Sequence, residues 1–196
     1  MTVKKSSDIN IVSRFASNKG KVADIPSGVS IKTSELVAGT ILLDATAIGR
    51  ASSGLCSVLK SAKALTGTTT TVIKVEGNKS QFKVGEKIFS LVGGKHYAIT
   101  AISAPTAGVI DITVGTAIDD PLANGGFIYQ NAAATDGATG AAFLVTPVAI
   151  TGTAFEVDIT SNQSVDAWVI GAVKYGTVGS AILSALRTSG CAIAEV

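Results

Sequence analysis

The sequence is divided into short apolar runs closed by turn residues, and this division restricts the chain to a β-rich fold. Residues 72–75, 96–102 and 109–114 are examples, each followed within a few positions by Gly, Pro or Asn. Their β-branched side chains suit a pleated surface, and the turn residues end each run. Residues 82–89 are predicted as one such strand, with Phe82 and Val84 on one face. The pattern predicts a sandwich or barrel of about ten short strands.

A single helix is predicted near the C-terminal end of the chain. The apolar residues within 181–186 recur at helical spacing. Thr177 or Ser180 could cap this helix and Gly190 could end it, and residues 191–194 then suit a last strand. We therefore expect one mainly β domain over residues 29–196, with one short C-terminal helix.

Residues 1–28 differ from this pattern, because they are polar and interrupted by Ser, Asn and Gly. Ile9, Ile11, Val12 and Phe15 form one short apolar patch among them, which could dock as a strand or as a turn of helix. We interpret residues 1–28 as an extended N-terminal arm. A loose polar tail is the alternative.

Charge is unevenly distributed along the chain. Residues 1–95 hold 14 of the 16 Lys and Arg and 6 of the 14 Asp and Glu, so this half carries +8 and the other half −6. Such asymmetry can indicate nucleic-acid binding. However, the lysines between 60 and 87 lie among apolar residues without interleaved aromatic rings that would stack on bases. The pattern favours a solvated face or a head-to-tail subunit contact, and we expect no nucleic-acid partner.

Composition excludes several other classes of protein. With 46% hydrophobic and only 15% charged residues, long disorder is excluded. No run reaches the 18 or so apolar residues of a membrane helix, and the first residues do not resemble a signal peptide. Cys56 and Cys191 lie far apart in apolar settings, which favours buried free thiols over a disulfide framework. We expect a protein of a reducing cytoplasm without a membrane partner.

No catalytic or metal-binding pattern is complete. One His and two Cys exclude a site built from several such ligands. A Ser-His-Asp triad would need His96 as its base, but His96 lies in an alternating segment and is predicted on a strand surface. Asp119 and Asp120 precede Pro121 and are predicted in a turn. We expect no enzyme, no cofactor and no metal; an enzyme would need a pocket around His96 or the Asp119-Asp120 turn.

The aromatic residues are few, and two positions stand out. Trp168, the single Trp, either anchors the sheet in the core, which we favour, or is a hot spot of a subunit contact. Residues 119–140 are predicted to form a long exposed loop. Within it, residues 127–129 (Phe-Ile-Tyr) are the best candidate patch for a sugar.

Three segments resemble a recurring module of tailed-phage head proteins. They are residues 82–88 (Phe-Lys-Val-Gly-Glu-Lys-Ile), 99–102 (Ile-Thr-Ala-Ile) and 111–114 (Asp-Ile-Thr-Val). In that group a Phe-x-Val-Gly-Asp/Glu turn precedes an Ile-Thr-x-Ile hairpin. Residues 35–45 resemble the group's opening strand and 162–173 its ending. Over residues 30–196 the chain thus resembles capsid decoration (auxiliary, cementing) and head-fibre proteins of tailed bacteriophages.

The resemblance implies a non-enzymatic virion structural protein on the outer capsid surface, assembled in the host cytoplasm. It implies two partners, the major capsid protein and the protein itself, as a homotrimer. It also implies an N-terminal arm that lies on the capsid or pairs with a neighbour, by strand addition for example. The candidate contacts are Ile9, Ile11, Val12, Arg14 and Phe15. The alternative is the base of a head fibre, or a β module that binds carbohydrate or a host surface.

Overall fold

The computed structural model describes residues 13–16, 21–51, 53–118, 122, 124–132 and 137–196. Within these ranges the chain is mainly β, with sixteen strands in curled sheets and one α-helix near the C-terminus. The predicted fold class is confirmed. The strands outnumber the predicted ten because several span only two or three residues, too few for a periodic pattern to show.

The elements carry labels in chain order. The strands are β1 (Lys21–Asp24), β2 (Val29–Ile31), β3 (Ile41–Leu42), β4 (Ala47–Arg50), β5 (Cys56–Val58), β6 (Ser61–Lys63), β7 (Val72–Glu76), β8 (Lys87–Phe89), β9 (Tyr97–Ile102), β10 (Val109–Val114), β11 (Phe127–Gln130), β12 (Ala149–Thr151), β13 (Phe155–Glu156), β14 (Gln163–Val165), β15 (Ala167–Val173) and β16 (Ala192–Glu195). The helix α1 spans Ser180–Thr188, and short 3-10 turns lie at Thr33–Glu35 and Gly77–Lys79.

The chain divides into two compact units. Unit 1 contains the described residues of Met1–Leu59 together with Val145–Val196, and unit 2 is formed by Lys60–Leu144. The range 29–196, which the sequence pattern suggests as one domain, therefore spans both units. β1 lies within the range 1–28 that was predicted as an arm.

Unit 1 is built on an eight-stranded sheet in the order β1-β15-β12-β4-β5-β2-β14, with β16 beside β15. The pairing is antiparallel except for β15 with β16 and β2 with β5. The parallel pairing of β15 with β16 is possible because α1 provides the crossover between these two strands. α1 buries Ile182, Leu183 and Leu186, the apolar positions that predicted it. The core of the sheet includes Ile31, Leu36, Leu42, Ile48, Val58, Ala149, Phe155, Val157 and Ala167.

Unit 2 is a six-stranded sheet in the order β6-β11-β8-β9-β10-β7. The Leu65 N–H donates to the Lys74 carbonyl oxygen at 2.8 Å, which joins the end of β6 to β7. The two outer strands of the sheet therefore meet, and the sheet encloses its core. That core includes Ala64, Ile73, Val75, Phe82, Ile88, Tyr97, Ile99, Ile110, Ile112, Val114, Ile118 and Ile128.

Two sequence predictions within this architecture are wrong. Residues 82–89 were expected to form a strand with Phe82 and Val84 on one face, but Phe82 is 3% exposed and Val84 is 59% exposed. The cause is a turn at Gly85, whose φ of 91° is disfavoured for residues with a Cβ, so only Lys87–Phe89 forms a strand.

The second wrong prediction is the long exposed loop expected at residues 119–140. Its residues Phe127–Gln130 form β11, an inner strand of unit 2 in which Ile128 and Tyr129 are buried. Residues 137–141 then pair back along residues 93–96 through main-chain hydrogen bonds. The prediction failed because the small Ala, Thr and Gly residues around β11 resemble a loop in composition.

Candidate interaction surfaces

The first described residues of the chain lie along β15 as an added strand. Phe15 pairs with Val173 in an antiparallel bridge. The Ala16 N–H donates to the Ala172 carbonyl oxygen at 3.1 Å, and the Lys174 N–H donates to the Arg14 carbonyl oxygen at 2.7 Å. β1 continues the same antiparallel edge with two register shifts. Residues 13–16 are thus tied to unit 1 by main-chain bonds.

A buried carboxylate fixes the start of this segment. Asp44 accepts a hydrogen bond from Ser13 Oγ at 2.5 Å and one from the Arg14 N–H at 3.1 Å, and Ser13 Oγ also accepts from the Phe15 N–H. Asp44 lies between β3 and β4, next to Ala45, whose φ is 52°. This anchor was not predicted from the sequence, where its only signal is one acidic residue between two apolar runs.

The predicted contact residues fall into three groups. Phe15 is buried in unit 1, where its side chain holds the segment in place. Arg14 is half-buried beside Lys174. Ile9, Ile11 and Val12 lie outside the described residues, as do Asp119 and Asp120.

The Phe-x-Val-Gly-Glu turn that carries the resemblance is held by a buried ion pair. Glu86 Oε1 lies 2.5 Å from Lys60 Nζ, and Glu86 Oε2 accepts the Lys83 N–H at 3.0 Å. The Lys60 side chain is 2% exposed. The prediction that this lysine belongs to a solvated face is therefore wrong, because Glu86 supplies a compensating charge that sequence spacing does not reveal.

His96 is not on a strand surface, as the sequence predicted, but buried. The main-chain N–H of His96 donates to the Ala138 carbonyl oxygen at 3.2 Å, and the main-chain carbonyl oxygen of His96 accepts the Gly137 N–H at 2.8 Å. The segment at 137–138 therefore lies alongside this residue, and the prediction failed because it placed that segment in an exposed loop.

The two thiols are buried and unbonded to each other, in keeping with the sequence pattern. Burial raises the pKa of Cys191, whose Sγ lies 3.0 Å from the Val148 carbonyl oxygen. Burial also raises the pKa of Cys56, and the charge of Arg50 opposes this in part. Neither thiol has the lowered pKa of a reactive cysteine.

The candidate sugar patch is only partly accessible. Tyr129 is buried with its ring centroid 5.4 Å from those of Phe89 and Phe143. Phe127 is half-buried, with Lys63 Nζ 6.0 Å from its ring centroid. These aromatics pack mainly against one another, which is a structural role.

Trp168 is half-buried rather than part of the closed core. Its Nε1–H donates to Asp166 Oδ2 at 2.9 Å, and Thr153 Oγ1 donates to the other oxygen of that carboxylate at 2.6 Å. The indole is therefore held in one orientation with part of its surface in solvent. The predicted burial of Trp168 in the core is therefore only partial, and its role in a subunit contact stays a prediction.

Neither a metal cluster nor a membrane-spanning helix occurs among the described residues. Those residues contain no group of three or more His, Cys, Asp or Glu placed to hold a metal ion. Among them, no helix has the length and apolar character needed to cross a membrane.

Comparison of the chain with known protein families, with curated proteins and with solved structures gave no match.

Proposed function

We propose that this protein is a non-enzymatic structural component of a phage virion that binds the outer capsid surface as a homo-oligomer. One observation carries the proposal. The three segments that resemble the phage head module overlap β8, β9 and β10, and these strands are consecutive neighbours in the sheet of unit 2.

The turn before β8 suits a role in surface contact. Val84 projects into solvent, while Glu86 is held by Lys60 and by the Lys83 N–H on the same turn. An apolar side chain on a turn held in one conformation loses little entropy on binding. Val84 is therefore a candidate contact with the major capsid protein.

The N-terminal segment supplies a second candidate contact. Asp44 fixes Ser13 and Arg14 on unit 1, and the Lys174 N–H at the end of β15 donates to the Arg14 carbonyl oxygen. We propose that Ile9, Ile11, Val12 and Arg14 contact the capsid or a neighbouring copy. Phe15, being buried, positions this segment rather than making the contact.

The test is co-sedimentation with capsid particles that lack the protein. We expect the full chain to sediment with particles, and we expect deletion of residues 1–12 or Val84→Asp to weaken binding by about tenfold or more. Leu91→Asp, at another exposed apolar turn position of unit 2, is the matched control for Val84→Asp. Absence of the protein from particles that assemble in its presence would overturn the proposal.

The alternative of a fibre base or carbohydrate-binding module rests on Tyr175, a strongly exposed aromatic side chain. Exposed rings are common platforms for sugars. A glycan array with the full chain and with Tyr175→Ser distinguishes a carbohydrate-binding module from a capsid-binding protein. Sugar binding that is lost in Tyr175→Ser, without particle binding, would support the alternative.

A further inference from the structure

The outer face of β15 carries an ordered series of side chains. Successive residues of a strand point to opposite faces, and the alternate residues Ala167 and Val173 are fully buried on the inner face. Asp166, Trp168, Ile170, Ala172 and Lys174 therefore share the outer side, with Asp166 and Lys174 just beyond the two strand ends. In this order the series is acidic, then apolar at three positions, then basic.

Neighbouring strands widen this series into a surface, which we call the outer strip. In β16, the exposed Ala192 and Ala194 pair with Ile170 and Ala172. In β1, the exposed Asp24 pairs with Trp168.

The basic end of the strip is also reinforced. Arg14 is joined to Lys174 by a main-chain hydrogen bond. Because the following residue, Phe15, is buried and faces inward, alternation places Arg14 on the outer side. The strip therefore has an acidic end near Trp168, an apolar middle and a basic end near Lys174.

We propose that the outer strip is a two-fold contact between two copies of this chain, packed face to face with their β15 strands antiparallel. In this arrangement the end with Asp24 and Asp166 of one copy meets the end with Lys174 of the other, and the apolar middles coincide. Such a surface is complementary to itself, which is the condition for an isologous contact. Charge complementarity thus identifies a second copy as the occupant.

The length of the strip determines the orientation. From Asp166 to Lys174 the strand spans about 26 Å at roughly 3.3 Å per residue, whereas charges are screened beyond about 8 Å at physiological salt. The two ends therefore act independently. A parallel arrangement would place like charges against each other at both ends, and the antiparallel one makes two attractive contacts.

The side chains of the apolar middle also suit this packing. Ala172, Ala192 and Ala194 are short and allow the two sheets to approach to the usual distance of about 10 Å. Ile170 and the rigidly held indole of Trp168 then supply the larger apolar contacts, and Trp is among the residues most enriched at interface hot spots.

Sedimentation equilibrium of the purified full chain tests the proposal. We expect a monomer–dimer equilibrium, and we expect Ile170→Lys to weaken dimerisation by about tenfold or more, because it buries a charge in the apolar middle. Ile159→Lys is the matched control, since Ile159 is 46% exposed and Ile170 is 41% exposed, both in unit 1. Circular dichroism of both variants confirms that each is folded.

Charge reversals test the orientation separately. Asp24→Lys and Lys174→Glu should each weaken the dimer, and the double variant should recover part of the loss. A chain that is monomeric at all concentrations would overturn the proposal. A dimer or trimer that persists unchanged in Ile170→Lys would also overturn it, by placing the contact elsewhere. Capsid binding is measured independently, so its failure is distinguishable from failure of this contact.

Discussion

Lys60 Nζ lies 2.5 Å from Glu86 Oε1, and the lysine side chain is 2% exposed whereas that of Glu86 is 19% exposed. Lys60 immediately precedes β6, and Glu86 immediately precedes β8. Their ion pair therefore joins two parts of unit 2 that are far apart in sequence. Withdrawal of both charges from water is costly, so the pair is stable only while both members are present.

Glu86→Gln is expected to destabilise the protein strongly. The substitution keeps the shape of the side chain but removes the negative charge that faces the buried Lys60 ammonium. The loss of unfolding free energy should be about 3 kcal/mol, as for other buried pairs from which one member is removed. Urea unfolding followed by circular dichroism measures it.

The control for this prediction is Glu76→Gln. Glu76 pairs with Lys79, but both side chains of that pair are substantially exposed, and exposed pairs contribute about 0–1 kcal/mol. Lys60→Met should cost less than Glu86→Gln, because it removes the buried charge itself. Equal effects of Glu86→Gln and Glu76→Gln would contradict the buried role of Lys60.

Asp44→Ala is expected to release residues 13–16 from unit 1. The carboxylate accepts hydrogen bonds from Ser13 Oγ and the Arg14 N–H, and a hydrogen bond to a charged group contributes about 1.5–3 kcal/mol. Opening of this segment should become at least about tenfold more frequent. Limited trypsin digestion with mass spectrometry should then show faster cleavage after Arg14.

Asp158→Ala is the matched control for the Asp44 prediction. Asp158 is an exposed aspartate of unit 1 that hydrogen-bonds only within its own turn, to Thr160, among the bonds described. Its removal should leave cleavage after Arg14 unchanged. Similar rates of trypsin cleavage after Arg14 in Asp44→Ala and in the unmodified chain would show that Asp44 does not anchor residues 13–16.

The β-rich class and the C-terminal helix could be predicted from sequence because both depend on local periodicity. Leu186 lies about one helical turn after Ile182 and Leu183, and all three are buried as expected. Residues 155–160 alternate in sequence, yet only Phe155–Glu156 forms a strand. The strand ends before Asp158, whose carboxylate accepts hydrogen bonds from Thr160, and such local bonds compete with strand pairing.

The buried polar residues could not be predicted, because their partners are distant in sequence. Asp44 meets Ser13 and Lys60 meets Glu86 only through the fold. The outer strip was in principle visible as the alternation from Asp166 to Lys174. Trp168 alone does not reveal the strip, which becomes visible only together with the residues two and four positions away.

Thr160→Val is expected to raise the pKa of Asp158. In the native protein the Thr160 hydroxyl, and secondly its N–H, donate to the carboxylate and hold its pKa below the ordinary value. Removal of the hydroxyl should move the pKa back toward that value, with the N–H bond retained. NMR titration of the Asp158 carboxyl carbon measures this shift.

The sign of the associated pH dependence follows from the lowered pKa. The stabilisation from Asp158 is present above the pKa of the unfolded chain, and it is lost as the pH falls through the lower pKa of the folded state. Thr160→Val should therefore reduce the difference in stability between neutral and acidic pH. Thr188→Val, which removes a hydroxyl bonded to the Ser184 carbonyl, should leave the Asp158 titration unchanged.

Gly49→Ala is expected to destabilise unit 1 because β4 leaves no space for a side chain there. A Cβ at Gly49 would collide with the carbonyl oxygen of Thr146 and with the Val145 side chain, and the Thr146 oxygen cannot move without displacing the main chain of residues 145–146. Overpacking of this kind costs about 1–3 kcal/mol. Gly39→Ala meets no atom within 4 Å but has a φ of 73°, so it measures backbone strain alone, about 1 kcal/mol. Chemical unfolding should rank Gly49→Ala as the less stable variant; the reverse order would show that β4 can move away from residues 145–146.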